Sequence, residues 1–387
     1  MNVVILAGGL GTRLRSVVKD VPKPMADIDG TPFLELLVRE MLFLDPERVV
    51  LCVSYMKEKI IEHFGDEFLG VPICYSIEDE PLGTGGAIKQ AFEQFGLDEA
   101  LVLNGDTYVA VDYEHFLEFS KDEKLALVLK QVSNANRYGK CVIQDDRVAA
   151  FEEKNSEESS SGLINAGIYK INRELFKNIF TKKFSFEQDF LQSEICNIKP
   201  KFMLADNYFI DIGIPEDYQK ACKELKHIIY GEPKNKALFL DRDGVINVDI
   251  GHLHRIEDCV FCEGIFDLAR KYYQNGYKII VVTNQAGIGK GLYTEKEYFK
   301  LRDFIHKRFN EEGCPITAEY YCPYHPDGIG KYKKKSFYRK PNPGMILKSG
   351  KDYSVIYEKS VLFGDSYSDF CASRQCNLKK FILVKDI

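Results

Sequence analysis

Short apolar runs alternate with mixed apolar and polar stretches along most of this chain. Asn2–Leu6, Arg48–Ser54, Ile73–Ser76, Ala100–Leu103 and Leu125–Val132 read as strands, and their near-continuous apolar character suits burial on both faces. Between them, Pro32–Leu44, Met56–Phe64, Thr84–Phe95 and Asp112–Lys121 carry helical patterns. Strand and helix in alternation predict a parallel α/β sheet. The polar stretch 155–162 predicts a loop, and Pro215–Ile229 a helix. Gly231-Glu232-Pro233-Lys234-Asn235 then breaks the pattern. A second series follows, with strands expected at Ala237–Leu240, Lys278–Val282, Ala318–Cys322, Ser360–Phe363 and Lys380–Val384. Helices are expected at Phe266–Asn275, Glu295–Glu312 and Pro343–Tyr353. The punctuation predicts two domains, 1–230 and 236–387, joined by a linker at 231–235. No internal repeat relates them.

The length of 387 residues agrees with more than one core. Charge changes the picture more. Residues 1–230 carry 26 Lys and Arg against 38 Asp and Glu, a balance of −12; the remainder carries 26 against 20, or +6. Neither part is basic enough to suggest nucleic acid. Eleven cysteines, an odd number without regular spacing, read as reduced cytoplasmic thiols. Val3–Leu6 has no basic flank or cleavage site and reads as a buried strand, not a signal peptide. No run of about 20 apolar residues predicts a membrane span.

Two stretches carry chemistry. The first is Leu6-Ala7-Gly8-Gly9-Leu10-Gly11-Thr12-Arg13 directly after a strand, with Lys23 bracketed by Pro22 and Pro24. Glycines let the backbone approach a phosphate closely, and successive N–H groups favour an anion. No Gly-Lys-Ser/Thr closes the turn, so it is not a P-loop. The second is Asp241-Arg242-Asp243, two carboxylates two residues apart at a strand end. Carboxylates that close repel, and a divalent cation relieves them. Thr283-Asn284-Gln285, Arg339-Lys340 and Asp365 with Asp369 also follow strands or precede helices. In a parallel sheet such strand ends share one edge, where ligands bind.

The first set resembles the sugar-1-phosphate nucleotidyltransferases. The likeness continues through Gly83-Thr84-Gly85-Gly86-Ala87, Asn104-Gly105-Asp106, Glu153-Lys154, Asn165-Ala166-Gly167 and Asp211-Ile212-Gly213, across all of residues 1–230. It implies a Rossmann-like, GT-A-like α/β domain. Leu6, Ala7, Gly8, Gly9, Gly11, Thr12, Arg13, Lys23, Gly83 and Thr84 would hold the nucleotide and its phosphates. Lys154, Asn165 and Gly167 would contact the sugar phosphate, and Asp106 and Asp211 would bind Mg²⁺. A sugar phosphate oxygen would attack the α-phosphorus of a nucleoside triphosphate and expel pyrophosphate. The attacker is already an anion, so neutralising charge matters more than a strong base.

The second set resembles the haloacid dehalogenase-like phosphatases, over about residues 236–387, and implies a second Rossmannoid α/β domain. Asp241 would be the nucleophile and Asp243 the acid and base. Thr283 and Lys340 would hold the phosphoryl oxygens. Asp241, Asp243 and Asp365 would bind Mg²⁺. Asp241–Asn247, Asp249–His252, Thr283–Gly291 and Arg339–Met345 look like heptose 1,7-bisphosphate phosphatases, with histidinol-phosphatases next; Asp249, His252, Asn284, Gln285 and Arg339 would contact the sugar phosphate. Many relatives hold a zinc through a Cys-x-His and a Cys-x-Cys. At the matching places this chain has Cys322, Tyr324, Ser336 and Tyr338, with His325 one residue late, so no zinc is expected.

Gly8–Arg15, Val21–Met25 and Gly83–Ala87 make the first part most similar to heptose 1-phosphate guanylyltransferases. The two resemblances together imply a cytoplasmic bifunctional enzyme. It would remove the 7-phosphate of D-glycero-α-D-manno-heptose 1,7-bisphosphate and then use GTP to form a GDP-heptose for a bacterial surface glycan. Only resemblance reads the base, so a uridylyl- or cytidylyltransferase for another sugar phosphate stays open. In a reading of another class, one half merely binds sugar phosphates; metal-dependent phosphate release separates the two. Oligomeric state is not legible.

Overall fold

The computed structural model describes residues 1–9, 11, 13–14, 17–135, 138–152, 161–205 and 207–384. The chain divides into two compact units, Met1–Phe68 with Pro72–Ile229, and Tyr230–Ile387 with Leu69–Val71.

In the first unit the strands are β1 (Asn2–Leu6), β2 (Arg48–Val53), β3 (Glu67–Phe68), β4 (Val71–Ile77), β5 (Glu99–Asn104), β6 (Thr107–Val109), β7 (Leu125–Val132), β8 (Lys140–Gln144), β9 (Arg147–Glu152), β10 (Gly162–Asn172), β11 (Lys201–Leu204) and β12 (Phe209–Asp211). The main sheet runs β11-β7-β10-β5-β1-β2-β4-β3, with β8 and β9 attached beside β10. Val3, Val4 and Ile5 are fully buried, as a central parallel strand requires. The parallel pairs β1–β2, β1–β5 and β2–β4 follow the predicted alternation.

The sheet is mixed, which corrects the expectation of a parallel one. β10 inserts between β5 and β7 and is antiparallel to both. No helix separates β8 from β9; Asp145 and Asp146, both at positive φ, make the turn between them. Side chains that tolerate the left-handed region favour such hairpins. Two irregularities place functional side chains. The register of β10 on β7 shifts between Asn165 and Tyr169. The small antiparallel pair β6–β12 sets Asp211 opposite Thr107, beside Asp106.

The second unit holds β13 (Lys236–Leu240), β14 (Tyr277–Asn284), β15 (Ile316–Cys322), β16 (Val361–Gly364) and β17 (Lys380–Leu383) in the order β15-β14-β13-β16-β17, all parallel. β13 lies between β14 and β16, so the residues just past these three strands meet at one edge. Asp241 N donates to Phe363 O at 3.0 Å, which fastens that edge. Helices Ile265–Gln274, Ala286–Gly289, Glu295–Glu311, Gly344–Tyr353 and Tyr367–Gln375 also belong to the unit. Among the described residues, no helix is long and apolar enough to cross a membrane.

Candidate active sites

In the first unit β1 runs straight into the glycine turn. Ala7 is buried and donates its N–H to Cys52 O at 2.8 Å, so it anchors the turn instead of lining a cavity. Gly11 has φ +57°, and a Cβ there would lie 2.8 Å from Lys23 Cβ. Only glycine lets the turn close over the lysine. Leu6, Gly8, Gly9, Lys23, Gly83, Thr84, Asn104 and Asp106 line a chamber of about 280 Å³. A second chamber of about 480 Å³ is lined by Arg13, Asn104, Asn165, Ser185, Glu187, Gln188 and Asp211, among others. Asn104 belongs to both, so the two chambers adjoin.

The carboxylates expected to bind metal meet there. Lys23 Nζ donates to Asp106 Oδ2 at 2.6 Å and lies 3.4 Å from Asp211 Oδ1. Gly213 N donates to Asp211 Oδ1 at 2.7 Å. Burial pushes the Asp211 carboxyl above its ordinary range, Asp106 adds to this, and Lys23 opposes it. Two acids share one ammonium, a donor set with negative charge in excess that fits a divalent cation. Gly167, at φ +74°, packs on Asn104 and donates its N–H to Asn165 Oδ1 at 3.1 Å. Thr12 and Lys154 lie outside the described residues.

In the second unit the strand ends converge as the parallel sheet requires. Carboxylate oxygens of Asp241, Asp365 and Asp369 all lie within 4.8 Å of one another. Lys340 Nζ sits 2.9 Å from Asp241 Oδ1 and 2.6 Å from Asp369 Oδ1, and donates to Val282 O at 2.9 Å. Three acids against one lysine again leave negative charge in excess, so the cluster fits Mg²⁺. Burial, opposed by Lys340 and reinforced by Asp369, pushes the Asp241 carboxyl up to about 7. Burial and Asp369 also raise the Asp365 carboxyl.

Asp243, expected in the metal set, turns elsewhere. Arg242 Nη2 donates to both of its oxygens at 2.9 and 2.8 Å, and Asn247 Nδ2 to Oδ1 at 3.0 Å. Gln285 Nε2 approaches its Oδ2 at 3.3 Å and donates to Thr283 Oγ1 at 2.8 Å. Asp369 takes the third corner instead. Its signal in the sequence is the capping box Ser366-x-x-Asp369, which fixes the carboxylate at a helix start. Asn284 and Lys340 clamp each other: Lys340 N donates to Asn284 Oδ1 at 3.0 Å, and Asn284 Nδ2 to Lys340 O at 2.9 Å. Asp249 and His252 lie on an exposed loop. Arg242 Nη2 secures the residue after it by donating to Leu253 O at 3.0 Å. Arg339 Nη1 donates to Tyr324 O at 3.2 Å.

The stretch matched to zinc-bearing relatives is held by packing. Cys322 is fully buried beside Ile280, Val282 and Met345, and Tyr324 and Tyr338 pack on the same cluster. Lys334 Nζ stands 4.1 Å over the Tyr324 ring, and Tyr338 N donates to Ser336 Oγ at 3.1 Å. His325 Nδ1 accepts from Asp327 N at 3.0 Å. With packing and hydrogen bonds in place of the missing ligands, zinc is expected to add no stability here. Treatment with a zinc chelator is therefore expected to leave the melting temperature unchanged. A fall of several degrees, with stoichiometric zinc by elemental analysis, would refute this.

The Nucleotidyl transferase family model matches residues 2–227, and the Polynucleotide kinase 3 phosphatase model matches residues 254–377. The chain is 46% identical over 234 residues to a D-glycero-α-D-manno-heptose 1-phosphate guanylyltransferase of Aneurinibacillus thermoaerophilus, which covers 59% of this chain and 100% of the relative. Over 154 residues it is 50% identical to a D-glycero-α-D-manno-heptose-1,7-bisphosphate 7-phosphatase of Burkholderia mallei, covering 40% of this chain and 82% of the relative. The crystal structure of HddC from Yersinia pseudotuberculosis is similar with a TM-score of 0.51 and 43% identity, over 58% of this chain and 99% of that one.

Proposed function

The chain belongs to the nucleotidyl transferase family and, through its second unit, to the heptose-1,7-bisphosphate 7-phosphatases; we propose that it performs two successive steps toward a GDP-heptose. The 7-phosphate of D-glycero-α-D-manno-heptose 1,7-bisphosphate is removed first. The resulting heptose 1-phosphate then takes GMP from GTP and releases pyrophosphate. The observation that carries this reading is the presence, in one chain, of two separate acid clusters that each fit a divalent cation and a phosphate. Residues 1–230 form the transferase and 236–387 the phosphatase, with 231–235 as linker, in the cytoplasm.

In the phosphatase, an oxygen of Asp241 attacks the phosphorus of the 7-phosphate and forms an acyl phosphate. The bond to the sugar oxygen breaks, and Asp243 gives that oxygen its proton. Asp243 then takes a proton from water, which attacks the acyl phosphate, frees inorganic phosphate and restores Asp241. Arg242, Asn247 and Gln285 hold Asp243 in orientation. Lys340 and Thr283 bind phosphoryl oxygens. Mg²⁺ held by Asp241, Asp365 and Asp369 would supply positive charge against the phosphate.

In the transferase, an oxygen of the heptose 1-phosphate attacks the α-phosphorus of GTP, and the bond to pyrophosphate breaks. Arg13 and Lys23 neutralise the leaving group, with the glycine turn beside it. Mg²⁺ at Asp106 and Asp211 would lower the repulsion between the two anions. The deciding experiment incubates the whole chain with the bisphosphate and all four nucleoside triphosphates. A GDP-heptose is expected. A different nucleotide sugar, or none, would overturn the reading.

The phosphatase is expected to spare the anomeric phosphate, because the transferase needs it as nucleophile. Asp249, His252 and Arg339 orient the sugar so that only the distal ester meets Asp241. A 10²-fold preference needs about 2.7 kcal/mol of differential transition-state binding, within reach of one or two polar contacts. Phosphorus NMR of the digest decides it. Heptose 7-phosphate, or equal loss of both esters, would break the pairing of the two steps.

A further inference from the structure

The second chamber of the transferase contains a carboxylate that the phosphate chemistry does not use. Glu187 is the second residue of a short helical segment, Phe186–Leu191, and faces the chamber with Asn165, Ser185 and Gln188. Arg13 and Asp211 also line it, the charged groups already assigned to phosphate and metal. Apart from Gly139 and Phe151, the remaining lining is polar, with Glu187 its one charged group, and suits the hydroxyl-rich part of a sugar.

Glu187 is held from two sides. Thr84 Oγ1 donates to its Oε2 at 2.7 Å and Ser185 Oγ at 3.3 Å, and Tyr169 OH donates to its Oε1 at 3.1 Å. Tyr169 is fully buried, and its hydroxyl accepts from Asn165 Nδ2 at 2.5 Å. Burial above all, with Glu187 adding to it, raises the Tyr169 hydroxyl well above its ordinary range, so it stays a donor. Phe186 N donates to Thr84 Oγ1 at 2.8 Å, and Gly85 N and Gly86 N both donate to Phe184 O. The glycine loop that lines the nucleotide chamber is thus fastened to the segment bearing Glu187.

We propose that Glu187 is a specificity-determining residue of the transferase, whose carboxylate accepts hydrogen bonds from hydroxyls of the sugar 1-phosphate. This rests on the reading of the first unit given above. A carboxylate offers about four acceptor sites; the bonds from Thr84, Ser185 and Tyr169 leave one unfilled, and the long one from Ser185 can give way to a sugar hydroxyl. A strut between two hydroxyls needs no charge and no place in a cavity wall. Glu187 has both, and its three holders prevent it from turning away. Adjacent ring hydroxyls are donors at the spacing of the two carboxylate oxygens, and hydrogen bonds to a charged acceptor are the stronger kind. A sugar lacking one of them would leave the carboxylate short of a donor, which is how a buried polar group rejects an analogue.

The test is Glu187→Gln in the full chain, because the amide oxygen can still accept from Thr84 and keep the segment in place. The wild-type chain is first assayed with four nucleoside triphosphates and a panel of sugar 1-phosphates. A preference other than GTP and heptose 1-phosphate corrects the function given above, and the variant is then scored on the preferred pair. The expected result is a KM for the sugar 1-phosphate raised by roughly 10–100-fold, the range of one or two charge-assisted bonds. The Kd for nucleotide alone should change less than about threefold, with an unchanged melting temperature. A second readout uses monodeoxy sugar 1-phosphates. The wild type should discriminate against at least one of them, and Glu187→Gln should lose that discrimination. Equal losses for nucleotide and sugar would show a structural strut and overturn the proposal. So would an unchanged KM, or discrimination that survives the substitution.

Discussion

Asp241→Asn is expected to stop phosphate release, by roughly 10⁴-fold or more, as removal of a covalent nucleophile does. The amide is nearly isosteric but cannot attack phosphorus. The fold should tolerate it, because Lys340 keeps Asp369 at 2.6 Å and the carbonyl of Val282 at 2.9 Å. A buried lysine that lost every partner would be far more costly. Transferase activity on supplied heptose 1-phosphate should stay near wild type, since Asp241 and Asp106 belong to different compact units. Phosphate release and nucleotide-sugar formation, measured on one preparation, decide the matter. Equal loss of both activities in a folded variant would count against two independent sites.

Asp106→Asn should do the reverse. Asp106 receives Lys23 at 2.6 Å, and the same ammonium lies 3.4 Å from Asp211. Removing that charge takes away half of the acid pair and leaves Lys23 leaning on Asp211. The transferase should lose roughly 10²–10³-fold in kcat, or about 3–4 kcal/mol, in line with the loss of a preorganised electrostatic contact. The phosphatase should persist. A variant keeping more than about a tenth of its transferase rate would remove Asp106 from the metal site.

Much of this was legible along the chain because its signals are local. A glycine turn after an apolar run, a lysine between prolines and two aspartates at a strand end each declare their chemistry within a few residues. The inner strands of the second unit were readable for the same reason: β13, β14 and β16, largely buried between parallel neighbours, show as apolar runs. β8 to β10 were harder to read. β8 and β9 form a hairpin, and the place of β10 in the sheet depends on pairing with β5 and β7.

The sites divide along the same line. The sequence by itself determined which residues could carry phosphate chemistry, because residue type and near-neighbour spacing decide donor, acceptor and charge. It did not determine which carboxylate does which task. Asp243 stands two residues from Asp241, yet it pairs with Arg242 and stays outside the cluster of Asp241, Asp365 and Asp369. Asp369 enters because its helix start and Lys340 bring it there across 29 residues. Glu187 meets Thr84 across 103 residues, through a loop packed on the glycines of another. Contacts that distant in the chain leave no spacing to read. Only folding, which trades the entropy of long loops for packing and paired charge, decides them.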